Sequence, residues 1–158
     1  RMAIVKLQEM DCDVTTTETS ITVARTNPLR AADIQTLPHP GFPTDLQAQF
    51  LLLNALAEGN SVISENIFEN RFMFASELIR MGADVTIDAH HALIQGVDQL
   101  QGAPVSSPDL RGGAALVIAG LAAEGETEIH DIYHIDRGYE DYVGKLQSLG
   151  ADVERVTR

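Results

Sequence analysis

SELIRMGADVT, residues 76–86, recurs with substitutions as VKLQEMDCDVT at 5–15 and as GKLQSLGADVE at 144–154. In each copy apolar side chains fall at helical spacing up to Met10, Met81 or Leu149, which predicts a single buried stripe on an amphipathic helix. A turn and a strand opening on Asp-Val follow. Gly82 and Gly150 stand where a helix ends on a left-handed residue, and Asp11 holds that place in the first copy. The copies lie about 70 residues apart, too far for most solenoid units, so the spacing predicts a small α/β module used more than once.

Working outward, the segments ahead of the second and third copies also match. PTDLQAQFLLLNALAEGNSVISENIFENRF (43–72) and SPDLRGGAALVIAGLAAEGETEIHDIYHIDRG (107–138) share an Asp-Leu helix start, an Ala-Glu-Gly helix end, a short strand and an arginine before the next helix. Asp45 aligns with Asp109, and Arg71 with Arg137. A full module therefore reads as helix, strand, helix and a hairpin such as 84–88 with 92–97. The chain divides into the tail of one module (1–29), a second (30–102) and a third (103–158), together one domain. Residues 110–123 are apolar or small on every face after the first turn, which predicts a helix buried on all sides, and 46–57 are similar. Residues 74–81 and 139–149 carry charge on one side and are expected to face solvent. Part of the helical content thus forms the core.

Composition excludes several classes. With 158 residues, 44% hydrophobic and 22% charged, the chain reads as one globular domain, and no apolar run approaches a membrane span. The net charge of -12 argues against nucleic-acid or anionic-membrane binding, which rests on clustered Lys and Arg. The lone Cys12, flanked by Asp11 and Asp13, suits neither an internal disulfide nor a nucleophile, and with no signal-peptide pattern it fits a reducing compartment. His90 and His91 fall at the hairpin turn, where adjacent side chains are expected to point apart, and no metal-ligand spacing surrounds them. GGAALVIAG lacks the Lys-Ser/Thr of a phosphate loop.

The chemistry is expected around PHPGFPTDLQAQF, residues 38–50. Its prolines and glycine forbid regular structure until Pro43, after which Thr44 and Gln47 have the spacing of a capping box with Asp45 in the first helical turn. Asp45 there either serves the helix start alone or is a carboxylate fixed against a ligand. Arg71, Arg111 and Arg137 all read as cations near helix starts, opposed by the dipole unless paired with an anion. The partner is an adjacent carboxylate, Asp109 or Asp136, or a multiply anionic small molecule.

PHPGFPTDLQAQF, IFENRFMFASELIRMGADV, the Ser-Pro-Asp-Leu-Arg of 107–111 and IYHIDRGYEDYVGKLQSLGADVERV together resemble the C-terminal part of the UDP-N-acetylglucosamine 1-carboxyvinyltransferases. These are the enolpyruvyl transferases that begin bacterial peptidoglycan synthesis. The shikimate-pathway enolpyruvyl transferases share the architecture but lack the PHPGFPTD and YHIDRGYE segments. The resemblance implies a cytoplasmic two-domain enzyme, each domain an inside-out α/β barrel of repeated modules around internal helices, with the N-terminal domain outside this sequence. It implies transfer of the enolpyruvyl group of phosphoenolpyruvate to the 3-hydroxyl of UDP-N-acetylglucosamine, with release of phosphate and no cofactor or metal. By motif, Asp45 would bind that hydroxyl and act as its base, Ile67 would bind the uridine side through its backbone, and Arg137 would hold phosphoenolpyruvate. Arg71 and Arg111 would stabilise the closed domains and ligand charge, with Asp109 supporting Arg111. The family's reactive cysteine lies in the absent part, and Cys12 does not correspond to it. An anion-binding α/β module without chemistry and a structural assembly domain are the rival readings.

Overall fold

The computed structural model describes residues 1–157, and these form an α/β domain. Helix α1 (Met2–Glu9) leads through Asp11 (φ 62°) into a hairpin of β1 (Asp13–Thr16) and β2 (Ile21–Ala24). Helix α3 (Ala75–Arg80) leads through Gly82 (φ 95°), and α6 (Tyr142–Ser148) is followed by Gly150 (φ 90°). The three places where sequence spacing predicts a left-handed helix stop therefore have it.

A four-stranded sheet occupies the centre. Strand β3 (Ile34–Gln35) lies parallel to β4 (Asn60–Ser64), and β6 (His91–Gln95) pairs antiparallel with both β4 and β5 (Asp84–Asp88). Along these strands Ile63, Val85, Ala92 and Ile94 are buried while Val62 and Leu93, paired on the opposite face, are exposed, the alternation of a sheet with one covered face. Strand β7 (Pro104–Ser106) pairs parallel with β8 (Glu128–His130) in a separate sheet. The sheets do not join into a closed barrel among the described residues. No helix among the described residues is long and apolar enough to cross a membrane.

Helix α2 (Gln47–Ala55) packs between the central sheet and α4 (Leu110–Ala122), and most of its side chains are buried, as expected. Asn54 pins it: the buried side chain accepts from Ala32 N–H at 2.9 Å and donates to Ala32 O and Phe50 O at 3.1 Å each, which satisfies an amide that would otherwise be costly in the core. Glycine permits the close approach of α4 to its neighbours. A Cβ at Gly112 would lie 2.7 Å from Phe74 Cβ, and one at Gly113 would collide with Ser107 Oγ and meet Ile135 at 2.9 Å. The expectation that α4 is buried on all sides needs correction, since Ile118 and Leu121 are 39% and 42% exposed. Its buried residues are 112–116 and Ala119, so the neighbours α2, α3 and the short α5 (Tyr133–Asp136) leave its later turns open on one side.

Candidate functional site

Asp45 stands in a 3-10 turn, Thr44–Leu46, that precedes α2. Pro43, extended at φ -73° and ψ 133°, sets the entry. The capping box expected from Thr44 and Gln47 does not form. The Thr44 hydroxyl donates instead to Glu65 Oε2 at 2.9 Å, and Gln47 turns into the core, where neither amide atom has a partner among the described residues. In a capping box the hydroxyl oxygen would accept from Gln47 N–H, whereas here the hydroxyl is turned as a donor to a buried carboxylate in a charge-assisted bond.

The Asp45 carboxylate joins two arginines. Arg71 Nη2 donates to Oδ1 at 3.2 Å, and Arg111 Nη2 donates to Oδ2 at 3.0 Å. Each guanidinium has an aromatic support: Arg71 lies 5.1 Å over the Phe68 ring, and Arg111 lies 5.5 Å over that of Tyr139. Arg111 Nη1 also donates to the Tyr139 hydroxyl at 2.8 Å. That bond raises the Arg111 pKa above its ordinary value; partial burial opposes it and Asp45 reinforces it. The arginine side chains are 22% and 29% exposed against 54% for Asp45, so a half-open carboxylate rests on two partly buried cations. Pairs this exposed contribute little to stability, and the cluster's significance is the charge it gathers in one place.

Asp109 does not pair with the Arg111 guanidinium. It is the N-cap of α4, its Oδ1 accepting from Arg111 N at 2.9 Å and Gly112 N at 2.8 Å, so it fixes the backbone from which Arg111 projects. Ile67 is 36% exposed, and its N–H donates to Glu65 Oε1 at 2.9 Å. A ligand bonding to the Ile67 backbone in this conformation would have to use its carbonyl.

Arg137 is exposed and pairs with none of these groups. It is the C-cap of α5, so the reading of it as a cation at a helix start is corrected: a positive charge at that end is favourable. Asp136 does not hold it either, because Arg155 takes that carboxylate from both nitrogens, at 2.9 and 2.6 Å. The hydrogen bonds from Arg155 hold the Asp136 carboxyl below the usual range, against partial burial and with Arg155's charge assisting. Among the described residues no hydrogen bond or ion pair occupies the Arg137 side chain.

Residue-by-residue reading missed Glu65, which is 3% exposed, and the link from Tyr139 to Arg111. Neither carries a local pattern that marks it. The histidine expectation is also corrected: the His90 and His91 rings lie against each other with centroids 3.9 Å apart and planes inclined by 41°, and His91 Nδ1 lies 2.8 Å from Ser64 Oγ. No group of three or more His, Cys, Asp or Glu suited to a metal occurs among the described residues.

A family model, EPSP synthase (3-phosphoshikimate 1-carboxyvinyltransferase), matches residues 1–146. The chain belongs to the EPSP synthase family. Among its relatives in this family, the UDP-N-acetylglucosamine 1-carboxyvinyltransferase of Magnetococcus marinus is 56% identical over 98% of this chain and 37% of the relative. UDP-N-acetylglucosamine 1-carboxyvinyltransferase 3 of Caldanaerobacter subterraneus subsp. tengcongensis is 58% identical over 97% of this chain and 37% of the relative. The crystal structure of the enolpyruvyl transferase NikO from Streptomyces tendae superposes with a TM-score of 0.88 at 32% identity, covering 97% of this chain and 36% of that chain. The chain thus spans little over a third of the relatives it matches and has the fold of the corresponding part of the EPSP synthase family.

Proposed function

We propose that this chain supplies part of the active site of an enzyme that moves the enolpyruvyl group of phosphoenolpyruvate to the 3-hydroxyl of UDP-N-acetylglucosamine and releases phosphate. Identity of 56% along almost the whole chain to a protein with that named activity carries the reading. Asp45 with Arg71 and Arg111 gathers a carboxylate and two cations in one place, the groups that such a reaction draws on. The hydroxyl oxygen bonds to C2 of phosphoenolpyruvate while its proton passes to Asp45, and C3 takes up a proton. The C2–O bond to phosphate then breaks as C3 gives a proton back, leaving the enolpyruvyl ether and inorganic phosphate. Accepting a proton while paired to both arginines would break two ion pairs at once, so the guanidinium groups must first turn to the incoming anions. Arg137, unoccupied by any carboxylate here, receives phosphoenolpyruvate, while Ile67 meets the nucleotide and Asp109 keeps Arg111 in place. Fixed cations suit a tetrahedral intermediate that carries both phosphate and carboxylate.

In the whole protein the modules 1–29, 30–102 and 103–158 contribute to an inside-out α/β barrel, and an N-terminal domain completes the site across a cleft. Ile118 and Leu121, open here, suit a helix that further chain covers. The test is phosphate release by the full-length protein. Release from phosphoenolpyruvate that depends on UDP-N-acetylglucosamine supports the proposal. Dependence on shikimate 3-phosphate would assign the shikimate-pathway reaction instead, and binding of both substrates without release would leave an anion-binding module.

A further inference from the structure

We infer that Glu65 is a positioning residue of this site, whose carboxylate locks the turn bearing Asp45 to the loop bearing Ile67 and Arg71. The inference rests on the transferase reading above.

Glu65 directly follows β4, its N–H bonded to His90 O at 2.8 Å, so its backbone stands on the central sheet. Its side chain is buried, and a buried carboxylate is costly unless every lone pair finds a donor. Oε1 accepts from Thr36 Oγ1 at 2.9 Å, Ile67 N at 2.9 Å and Phe68 N at 3.1 Å. Oε2 accepts from Thr44 Oγ1 at 2.9 Å. No cation pairs with it among the described residues. Neutral donors from three separate segments meet on one side chain.

The contacts close a circuit. Glu65 holds Thr44, whose neighbour Asp45 binds Arg71, whose guanidinium lies over Phe68, whose N–H returns to Glu65. The Asp45–Arg71 bond is half-exposed and holds position weakly. The link through Thr44 and Glu65 is the better shielded one, and it sets the separation between the proton acceptor and the loop that meets the nucleotide. Disturbing it should misalign the reacting groups and lower turnover more than it weakens substrate binding.

The role is geometric. Glutamine would keep one oxygen for the donors on Oε1, and its amide could donate to a Thr44 hydroxyl that rotates to accept. Thr44→Val, by contrast, removes Glu65's own hydrogen bond to the Asp45 turn at nearly constant volume. In the full-length protein we expect Thr44→Val to lower kcat per folded molecule about tenfold or more, with KM for UDP-N-acetylglucosamine within about threefold. Glu65→Leu should lower kcat by a similar factor, and Glu65→Gln, which keeps the hydrogen-bonding shape, should recover most of that loss. A separate readout needs no activity: NMR signals of the Arg71 guanidinium, slowed by its pair with Asp45, should collapse in Thr44→Val and persist in Glu65→Gln. If the wild type turns over neither substrate, the function proposal fails and the Arg71 signals alone decide this one. Normal kcat per folded molecule in Thr44→Val, unchanged Arg71 signals in an inactive protein, or an equal loss in Glu65→Gln would each overturn it.

Discussion

Arg111 Nη2 lies 3.0 Å from Asp45 Oδ2 although 66 residues separate the two in sequence. The bond joins the turn before α2 to the first turn of α4, helices that pack on each other in the core. Asp45 and Asp109, at matching places in the aligned segments, have different tasks. Asp109 spends its carboxylate on the α4 backbone, whereas Asp45, ahead of a helix that it does not cap, is free to gather two cations.

Replacing Asp45 with asparagine in the full-length protein should therefore separate chemistry from binding. The amide keeps much of the hydrogen-bonding shape and removes the proton acceptor. Turnover is expected to fall at least about 10²-fold while UDP-N-acetylglucosamine still binds. Calorimetry and steady-state rates on one preparation decide it, and near-normal turnover would mean that the proton leaves by another route.

Arg137, with its side chain uncommitted to any described carboxylate, should matter to ligand and not to fold. Arg137→Ala is expected to weaken phosphoenolpyruvate use by about 1.5–3 kcal/mol, the cost of one charge-assisted contact, and to change nucleotide-sugar binding far less. A lower melting temperature with normal kinetics would show a structural task instead.

The glycines of α4 make a stability prediction. Gly113→Ala drives a methyl group against buried Ser107 Oγ and Ile135, neither of which lies at the end of a long flexible chain. Overpacking of this kind costs about 1–3 kcal/mol, readable as a lower urea midpoint with an unchanged slope. An unaltered midpoint would show that α4 can shift away from α5 without cost.

The Asp136–Arg155 pair sets an acid limb. Because the folded pKa of Asp136 is lowered, the pair's contribution is present above the unfolded carboxylate value of about 4 and is lost as pH falls through the folded value. Arg155→Gln should accordingly show a stability deficit at neutral pH that closes in more acid solution. Thermal melts across that range test it, and a deficit that persisted at the acid end would exclude the linkage.

The sequence by itself determined the elements whose causes are local. Helix stops at Asp11, Gly82 and Gly150 follow from backbone sterics and an apolar stripe that ends on the preceding turn. The hairpin of β5 and β6 was legible in the pattern, as were Asp45 at a helix start and Arg71 and Arg111 as members of a scarce set of basic residues. Their pairing was not. Adjacency pointed to Asp109 and Asp136 as partners, but chain packing brought Asp45 to both Arg71 and Arg111, gave Asp136 to Arg155 and left Arg137 outside. The Thr44–Gln47 spacing matched a cap, yet Glu65 reached Thr44 from 21 residues away. Periodicity marked α4 as apolar all round, but burial belongs to its neighbours, and those reach only part of its surface. A hydrogen bond or an ion pair goes to whichever partner the folded backbone brings within about 3 Å, and sequence distance has no part in that choice.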